Sequence, residues 1–112
     1  MSRRTYVPDR GDIVWLQFNP QAGHEQAGHR PAIVLSSSSY NRLSGLMLCC
    51  PMTTQRKGYP FEVVISDTTE RTSVVLADQV KSLDWKVRKP VKKGVASSEV
   101  VAETLSKLHA LL

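Results

Sequence analysis

The chain has 112 residues, of which 41% are hydrophobic and 22% charged, and this composition is typical of one globular domain that can fold without metals or disulfides. Its formal net charge of +5 favours a polyanionic partner such as nucleic acid, an acidic protein or an anionic membrane surface, and it fits a solvated basic surface equally well. We expect a single domain over residues 1–112. The basic opening MSRRTYVPDRGD has no apolar run after it, and no segment approaches the ~20 apolar residues that cross a bilayer, so we expect a cytoplasmic protein without membrane contact.

Five short apolar segments separated by turn residues predict β-strands. They are GDIVWLQF (11–18), RPAIVLSS (30–37), LMLCCPMT (46–53), FEVVIS (61–66) and SVVLADQV (73–80). Pro31 lies at the opening edge of the second segment, where a missing N–H is tolerated, and Pro51 indicates a bend or bulge in the third. A sixth short strand is a candidate near Trp85–Arg88. Trp15, in mid-strand, is predicted to belong to the core.

The third segment contains the two adjacent cysteines, Cys49 and Cys50. Neighbouring side chains on a strand point to opposite faces, and a bond between them would be strained. We therefore expect two buried, reduced thiols of the kind found in cytosolic proteins.

The last segment, SSEVVAETLSKLHALL (97–112), changes period and predicts an amphipathic helix. Ser97 or Ser98 is a candidate N-cap, and Glu99 suits the positive end of the helix dipole. Several short strands and one terminal helix predict a mainly β fold of the α+β class, a small, strongly curved antiparallel barrel of five to seven strands. The apolar stripe of the helix comprises Val101, Leu105, Leu108 and Leu112.

Three polar loops lie between these elements, and loops carried by a rigid scaffold are where function usually sits. The first polar loop is NPQAGHEQAGH (19–29), the second is TTQRKGYP (53–60) and the third is LDWKVRKPVKKG (83–94).

The first polar loop raises the question of a metal site, because it contains His24, Glu25 and His29. The zinc-protease signature needs two histidines four residues apart on a helix, whereas these two are five apart in a segment whose glycines and following proline disfavour a helix. No cysteine or carboxylate at metal-ligand spacing adds a third ligand. We therefore expect no metal and no other cofactor.

Acid–base chemistry on a phosphodiester is the alternative for this loop. Glu25 is a possible base, and the guanidinium of Arg30 can bind a phosphate through a charged fork. Cleavage of RNA needs only removal of the 2′-OH proton, stabilisation of the developing charge and protonation of the leaving 5′-oxygen, because RNA supplies its own nucleophile. Spacing alone leaves open a surface ion pair between Glu25 and Arg30 that closes the loop.

The second and third polar loops add groups that bind nucleic acids. Thr53, Thr54 and Gln55 can bond phosphates and base edges, and Arg56 and Lys57 add positive charge, although a solvated polar hairpin remains the alternative. The third loop interleaves cations with an aromatic ring, which suits single-stranded nucleic acid or an acidic peptide equally well. Its basic residues are Lys86, Arg88, Lys89, Lys92 and Lys93, beside Trp85. By contrast His109, on the polar side of the last helix, is expected to be solvated.

Together these residues resemble the MazF/PemK family of toxin endoribonucleases. The matching segments, in order and at compatible spacing over essentially the whole chain, are YVPDRGDIVWLQFNP (6–20), EQAGHRPAIVLS (25–36), PMTTQRKGYPFEV (51–63) and VVLADQVKSLDW (74–85). The resemblance implies an SH3-like antiparallel β-barrel that is usually a homodimer. It also implies cleavage of single-stranded mRNA at short sites without a metal, which leaves 2′,3′-cyclic phosphate and 5′-hydroxyl ends and inhibits translation. It also implies a cognate antitoxin whose acidic, partly disordered C-terminal tail covers the site.

Carried over residue by residue, the resemblance implies three catalytic residues: Glu25, Arg30 and Thr53. Our hypothesis is that Glu25 accepts the 2′-OH proton, Arg30 stabilises the transition state and Thr53 hydrogen-bonds the phosphate. His29 lies beside them and is a candidate for proton transfer, although a histidine that only packs is the alternative.

Some family members have a catalytic arginine at the position of Leu76, two residues before Asp78, so this chain resembles the MazF-like branch that lacks it. Asp78 can instead be a structural turn acid.

A function of a different class also stays open, namely a non-catalytic SH3-like module that acts by binding a protein, as a related toxin fold does with DNA gyrase. The residues to which the resemblance gives an RNA-binding role are His29, Thr54, Gln55, Lys57, Asp78, Gln79 and Lys81.

Overall fold

The computed structural model describes residues 6–19, 23–26, 28–66 and 72–112. The basic opening at residues 1–5 and residues 20–22 and 27 of the first polar loop lie outside this described part. The strands are β1 Asp12–Gln17, β2 His29–Val34, β3 Leu46–Thr53, β4 Glu62–Ser66, β5 Thr72–Leu76, β6 Lys81–Asp84 and β7 Val91–Val95. The helices are α1 Ser38–Ser44, α2 Trp85–Arg88 and α3 Ser98–His109, and Ala77–Gln79 form a 3₁₀ turn.

The strands form one antiparallel sheet in the order β4-β5-β3-β2-β1-β7, with β6 also paired to β3. The sheet curls into a half-barrel and α3 follows it, which confirms the predicted fold class. β3 is the hub of the sheet, because it pairs with β2 along one edge and with β6 and then β5 along the other. The change from β6 to β5 falls between Cys49 and Met52, the stretch that contains Pro51.

Each face of the sheet packs against a separate hydrophobic core. On β3, Met47 and Cys49 belong to the first core, whereas Cys50 and Met52 belong to the second. Both thiols are free and buried, as the alternation predicted. Burial raises the pKa of each thiol to about 12.

The C-terminal helix closes the second core. Ser97 is its N-cap, since its hydroxyl accepts a hydrogen bond from the N–H of Val100 at 3.2 Å, as the sequence predicted. Val101, Leu105 and Leu108 of the predicted stripe pack against the second core. His109 is exposed, as expected. No helix of the described part is long and apolar enough to cross a membrane.

The sequence prediction of a strand near Trp85–Arg88 is wrong, because this segment forms the one-turn helix α2. The carboxylate of Asp84 caps the turn by accepting a hydrogen bond from the N–H of Val87 at 3.0 Å. The predicted strand 73–80 ends at Leu76, where Ala77 enters the second core and the chain turns toward β6. Helix α1 was not predicted, although Gly45 ends it in the left-handed conformation at φ 76°.

The two tryptophans have exchanged their expected environments. Trp85, expected to stack on a ligand from a basic loop, is 4% exposed and its indole N–H donates to the carbonyl of Asn41 at 2.8 Å. Trp15, expected in the core, is only half-buried and meets the ring of His29 edge-on at a centroid distance of 4.9 Å. Trp15 alternates with Val14 and Leu16, which are buried in the first core, so its ring lies on the other face.

A buried asparagine fixes the side of the fold that carries α1 and α2. The amide nitrogen of Asn41 donates to the carbonyls of Pro8 at 2.8 Å and Ser36 at 3.1 Å, and its amide oxygen accepts from the hydroxyl of Ser36 at 2.6 Å. Its own carbonyl accepts from Trp85. Since all these polar atoms are satisfied, the network holds α1, α2 and the chain before β1 in one arrangement.

Candidate active site

The first polar loop is fastened at the point where it enters β2. Gly28, at φ 82°, accepts a hydrogen bond from the N–H of Phe18 at 2.9 Å and donates to the side chain of Asn19 at 3.1 Å. A positive φ of this size favours glycine. The turn therefore fixes where His29 and Arg30, the next two residues, begin β2.

Arg88 fastens the other end of the same loop. Its guanidinium donates to the carbonyls of Gln17 at 2.7 Å and Asn19 at 2.9 Å. The sequence placed Arg88 in a basic segment suited to nucleic acid, but the structure uses its side chain to hold the end of β1. It therefore supports the site through the loop.

Two of the three predicted catalytic residues face the same groove. Arg30 is at the start of β2 and Thr53 at the end of β3, and both line a cavity of ≈370 Å³, here named the Arg30–Thr53 groove. Both side chains are half-buried. The other lining residues are Trp15, Gln26, His29, Pro31, Met52, Thr54, Gln55 and Ser73.

A second cavity of ≈400 Å³ continues from the first, because both are lined by Gln26, Thr53 and Gln55. This Thr53–Asp78 groove adds the predicted residues Lys57, Asp78 and Gln79. It is bordered further by His24, Tyr59, Glu62 and Leu76.

A third cavity of ≈380 Å³ shares Asp78 and Gln79 with the second and contains Glu25 and Lys81, and is here named the Glu25–Lys81 groove. The three grooves form a continuous polar surface that contains all ten predicted site residues. Glu25 does not line the cavity that contains Arg30 and Thr53, so two of the predicted catalytic residues share a groove and the third lies two grooves away.

Two contacts connect the first polar loop to the segment around β6. The ammonium of Lys81 donates to Oε1 of Glu25 at 2.5 Å, and the backbone N–H of Gln26 donates to the side-chain oxygen of Gln79 at 2.9 Å. Lys81 and Gln79, predicted to bind RNA, therefore also position this loop.

The second polar loop is shaped by Glu62, which sequence reasoning missed. Its side chain is buried, and its carboxylate accepts hydrogen bonds from the backbone N–H groups of Lys57 at 3.1 Å and Gly58 at 3.0 Å. Thr53 also bonds this loop, because its hydroxyl accepts from the N–H of Gln55 at 3.1 Å. The sequence signal that could have found Glu62 is a carboxylate at the start of a strand, four residues after Gly58.

The grooves combine one guanidinium, two ammonium groups, two imidazoles, hydroxyls and amides with the carboxylates of Glu25, Glu62 and Asp78. Apart from the carboxylates, these are the groups that bind phosphate oxygens and base edges. Among the described residues, no cluster of three or more His, Cys, Asp or Glu side chains has the arrangement of a metal site. The arrangement suits binding and acid–base chemistry on an anionic strand.

Fold and site together define a small curled-sheet domain whose polar and cationic loops line three adjoining grooves. The sequence profile of the PemK-like, MazF-like toxins of type II toxin–antitoxin systems matches residues 9–112. The chain is 53% identical over 107 residues to the endoribonuclease toxin MazF of Escherichia coli (strain K12), with 96% of each chain covered.

Solved structures agree with this match. The crystal structure of MazF from Deinococcus radiodurans (Form-I) has a TM-score of 0.89 at 52% identity and covers 95% of this chain and 96% of that chain. A MazE–MazF complex from the same organism (Form-III) has a TM-score of 0.83 at 49% identity, again covering 95% and 96%. The chain belongs to the PemK-like, MazF-like family of type II toxin–antitoxin toxins, which confirms the resemblance seen in the sequence.

Proposed function

We propose that this chain is an endoribonuclease toxin that cleaves single-stranded RNA, chiefly mRNA, at short sequence sites and thereby inhibits translation in the cytoplasm. Membership of the toxin family supports the reaction class. The single observation that carries the assignment of the site is the Arg30–Thr53 groove, where a guanidinium and a hydroxyl from adjacent strands line one cavity.

The scissile phosphate binds in the Arg30–Thr53 groove. The 2′-oxygen of the RNA attacks the adjacent phosphorus and loses its proton, while the bond to the 5′-oxygen breaks and that oxygen gains a proton. The products are a 2′,3′-cyclic phosphate and a 5′-hydroxyl. Arg30 stabilises the negative charge that builds on the phosphoryl oxygens, and Thr53 donates a hydrogen bond to one of them.

Glu25 is the proton acceptor in this proposal. Lys81 holds its carboxylate in the Glu25–Lys81 groove. A bound RNA phosphate competes for the Lys81 ammonium and releases Glu25 toward the substrate. His29 lines the groove and is oriented by the edge-on ring of Trp15, so it is the residue best placed to return a proton to the 5′-oxygen.

The remaining predicted residues bind the strand on either side of the cleaved bond. Thr54 and Gln55 extend the Arg30–Thr53 groove, and Lys57, Asp78 and Gln79 continue it through the Thr53–Asp78 groove. The partners we propose are single-stranded RNA, a second copy of the chain and a cognate antitoxin with an acidic, disordered C-terminal tail. The solved MazE–MazF complexes and the net charge of +5 support the antitoxin.

The test is to incubate the purified protein with single-stranded RNA in EDTA and to analyse the new ends. We expect cleavage that leaves cyclic phosphates and 5′-hydroxyls, and we expect Arg30→Ala to slow it on the order of 10²–10³-fold. Lys93→Ala is the matched control, because Lys93 is a cation on β7 and lines none of the three grooves. RNA that is bound and left intact by the wild-type protein would refute the enzyme and favour a non-catalytic binding module.

A further inference from the structure

A fourth cavity, larger than the other three at ≈620 Å³, shares no lining residue with them. Its volume lies within the range of sites that bind small ligands, roughly 300–1,000 Å³. The proposed cleavage reaction does not use it. The lining of this Trp85 cavity comprises Tyr6, Arg42, Trp85, Lys86, Lys89 and Pro90.

The rim of the Trp85 cavity is cationic. Arg42, Lys86 and Lys89 contribute three positive charges, and no carboxylate is among the lining residues. Within the part of the chain that the structure describes, none of the three cations takes part in a salt bridge. Lys86 instead lies over the ring of Trp85, at 5.7 Å from the ring centroid. Such a cluster attracts an anionic ligand.

The floor of the Trp85 cavity is apolar and preformed. The indole N–H of Trp85 is already bound to the carbonyl of Asn41 at 2.8 Å, and the hydroxyl of Tyr6 is bound to Asp12 at 2.5 Å. Pro90 is buried beside them. Because the polar ends of both aromatic rings are occupied, the walls left for a ligand are carbon surface.

The backbone at Lys89 is a second, independent observation. Among the described residues, Lys89 is the one non-glycine residue with positive φ, at 48°. It caps α2, with its N–H bound to the carbonyl of Trp85 at 3.0 Å, at a position where glycine is strongly preferred. A lysine is therefore kept at a strained position on the rim of the cavity, and strain of this kind concentrates at functional sites.

We propose that the Trp85 cavity is a second RNA-binding site that takes one unpaired nucleotide of the strand, outside the grooves where cleavage occurs. The base lies against the apolar floor, and its phosphates contact Arg42, Lys86 and Lys89. This inference rests on the proposed function, because it is that function that brings a single strand to the protein. A single strand can turn a base into such a cavity, whereas a duplex keeps its bases paired.

The two tryptophans of the chain allow each site to be observed separately. Trp15 lines the Arg30–Thr53 groove and Trp85 the fourth cavity, so their indole N–H resonances in a ¹⁵N-labelled protein report on different sites. We titrate with a 2′-O-methyl single-stranded oligonucleotide, which has no free 2′-OH and is not cleaved. Both resonances should shift, and a duplex of the same sequence should leave the Trp85 resonance in place.

The decisive variant is Lys89→Gly. Glycine suits the positive φ, so the melting temperature should rise by a few degrees. Loss of the ammonium should lower the affinity for the oligonucleotide about 3–10-fold. It should also decrease the slope of log K against log salt by roughly one unit, because one phosphate contact is lost. Arg42→Gln should lower the affinity similarly. Lys93→Gln is the matched control, because Lys93 lines neither the grooves nor this cavity.

Equal affinities for Lys89→Gly and Lys93→Gln, or an unmoved Trp85 resonance, would overturn the second site. A Trp85 resonance that shifts with a poly-glutamate peptide but not with the oligonucleotide would also overturn it, in favour of an acidic protein partner. If instead the proposed function is wrong, the wild-type protein leaves ordinary RNA uncut, whether or not the Trp85 resonance shifts.

Discussion

Lys81 and Glu25, which are 56 positions apart in the sequence, form an ion pair with 2.5 Å between the ammonium and the carboxylate oxygen. The side chain of Lys81 is 18% exposed and that of Glu25 is 46% exposed. A pair this open to solvent contributes little to stability, typically less than about 1 kcal/mol. Its importance lies in the chemistry, because it joins the proposed proton acceptor to a proposed phosphate-binding cation.

Substitution of the two partners should separate their roles. We expect Glu25→Gln to lower kcat by about 10²-fold or more, since an amide cannot accept the 2′-OH proton. Lys81→Met should mainly raise KM, because it removes a phosphate contact while Glu25 keeps a carboxylate that can accept the 2′-OH proton. Single-turnover and steady-state kinetics on one RNA measure both effects. A Glu25→Gln protein with the wild-type kcat would reduce Glu25 to a residue that closes the first polar loop.

The hydroxyl of Thr53 has two roles that paired substitutions can test. It lines the Arg30–Thr53 groove and accepts the hydrogen bond from the N–H of Gln55 at 3.1 Å. Thr53→Val has nearly the same shape without the hydroxyl and should lower kcat/KM by at least 10-fold, whereas Thr53→Ser keeps the hydroxyl and should retain most of the activity. Circular dichroism checks that both variants fold. If Val and Ser behave alike, the hydroxyl has no part in cleavage.

Glu62 should act as a positioning residue for the second polar loop. Its buried carboxylate accepts two backbone hydrogen bonds, from Lys57 and Gly58, and Glu62→Ala leaves both donors without that partner. We expect a loss of about 1–3 kcal/mol in the free energy of unfolding and a raised KM for RNA. Glu62→Gln keeps one acceptor oxygen and should recover part of both losses. Urea unfolding and steady-state kinetics measure the two effects.

The control for this carboxylate is Glu103→Ala, which removes an exposed pair with Lys107 on α3. That substitution should change the free energy of unfolding by less than about 0.5 kcal/mol. An equal change for Glu62→Ala and Glu103→Ala would show that the second polar loop does not depend on Glu62.

The strands and the last helix could be predicted because their signals are local. Alternating apolar residues give the period of a strand, and the stripe of α3 together with the cap at Ser97 gives a helix. The environments of Trp15 and Trp85 could not be predicted in this way. The environment of Trp85 depends on which face α2 covers, which is decided by the cap at Asp84 and by the contact between Trp85 and Asn41, 44 positions apart. Trp15 lies on the face of β1 opposite Val14 and Leu16, where it lines the Arg30–Thr53 groove.

The site was predicted as a set of residues rather than as a geometry. Arg30 and Thr53 came from the family resemblance, and the β2–β3 pairing then brings them to one groove. The position of Glu25 relative to them depends on Lys81, and the shape of the second polar loop depends on Glu62. The contact between Lys81 and Glu25 joins residues 56 positions apart, and no local sequence pattern encodes their proximity. The contacts of Glu62 are local, but they depend on the backbone conformation at Lys57 and Gly58.

Cys49 and Cys50 should make the protein less stable at alkaline pH and stay unreactive at neutral pH. Burial raises the pKa of each thiol to about 12, against about 8.5 for a free cysteine. The folded state therefore holds these protons more tightly than the unfolded state, so the stabilisation is complete below pH about 8.5 and is lost as the pH rises toward 12. Tyr6 acts in the same direction, because burial and the Asp12 carboxylate also raise its pKa.

Urea unfolding at a series of pH values from 7 to 10 measures this loss, and a thiol reagent added at pH 8 should label the protein only after unfolding. The double variant Cys49→Ala/Cys50→Ala should flatten the fall in stability between pH 8.5 and 10, because the loss due to Tyr6 begins only near pH 10, the usual pKa of a tyrosine and the upper end of this series. Rapid labelling of the native protein, or a pH slope that the double variant leaves unchanged, would mean that the two thiols open to solvent within the folded state. The β3 strand, which pairs with β2, β5 and β6, would then be far less rigid than its position at the centre of the sheet requires.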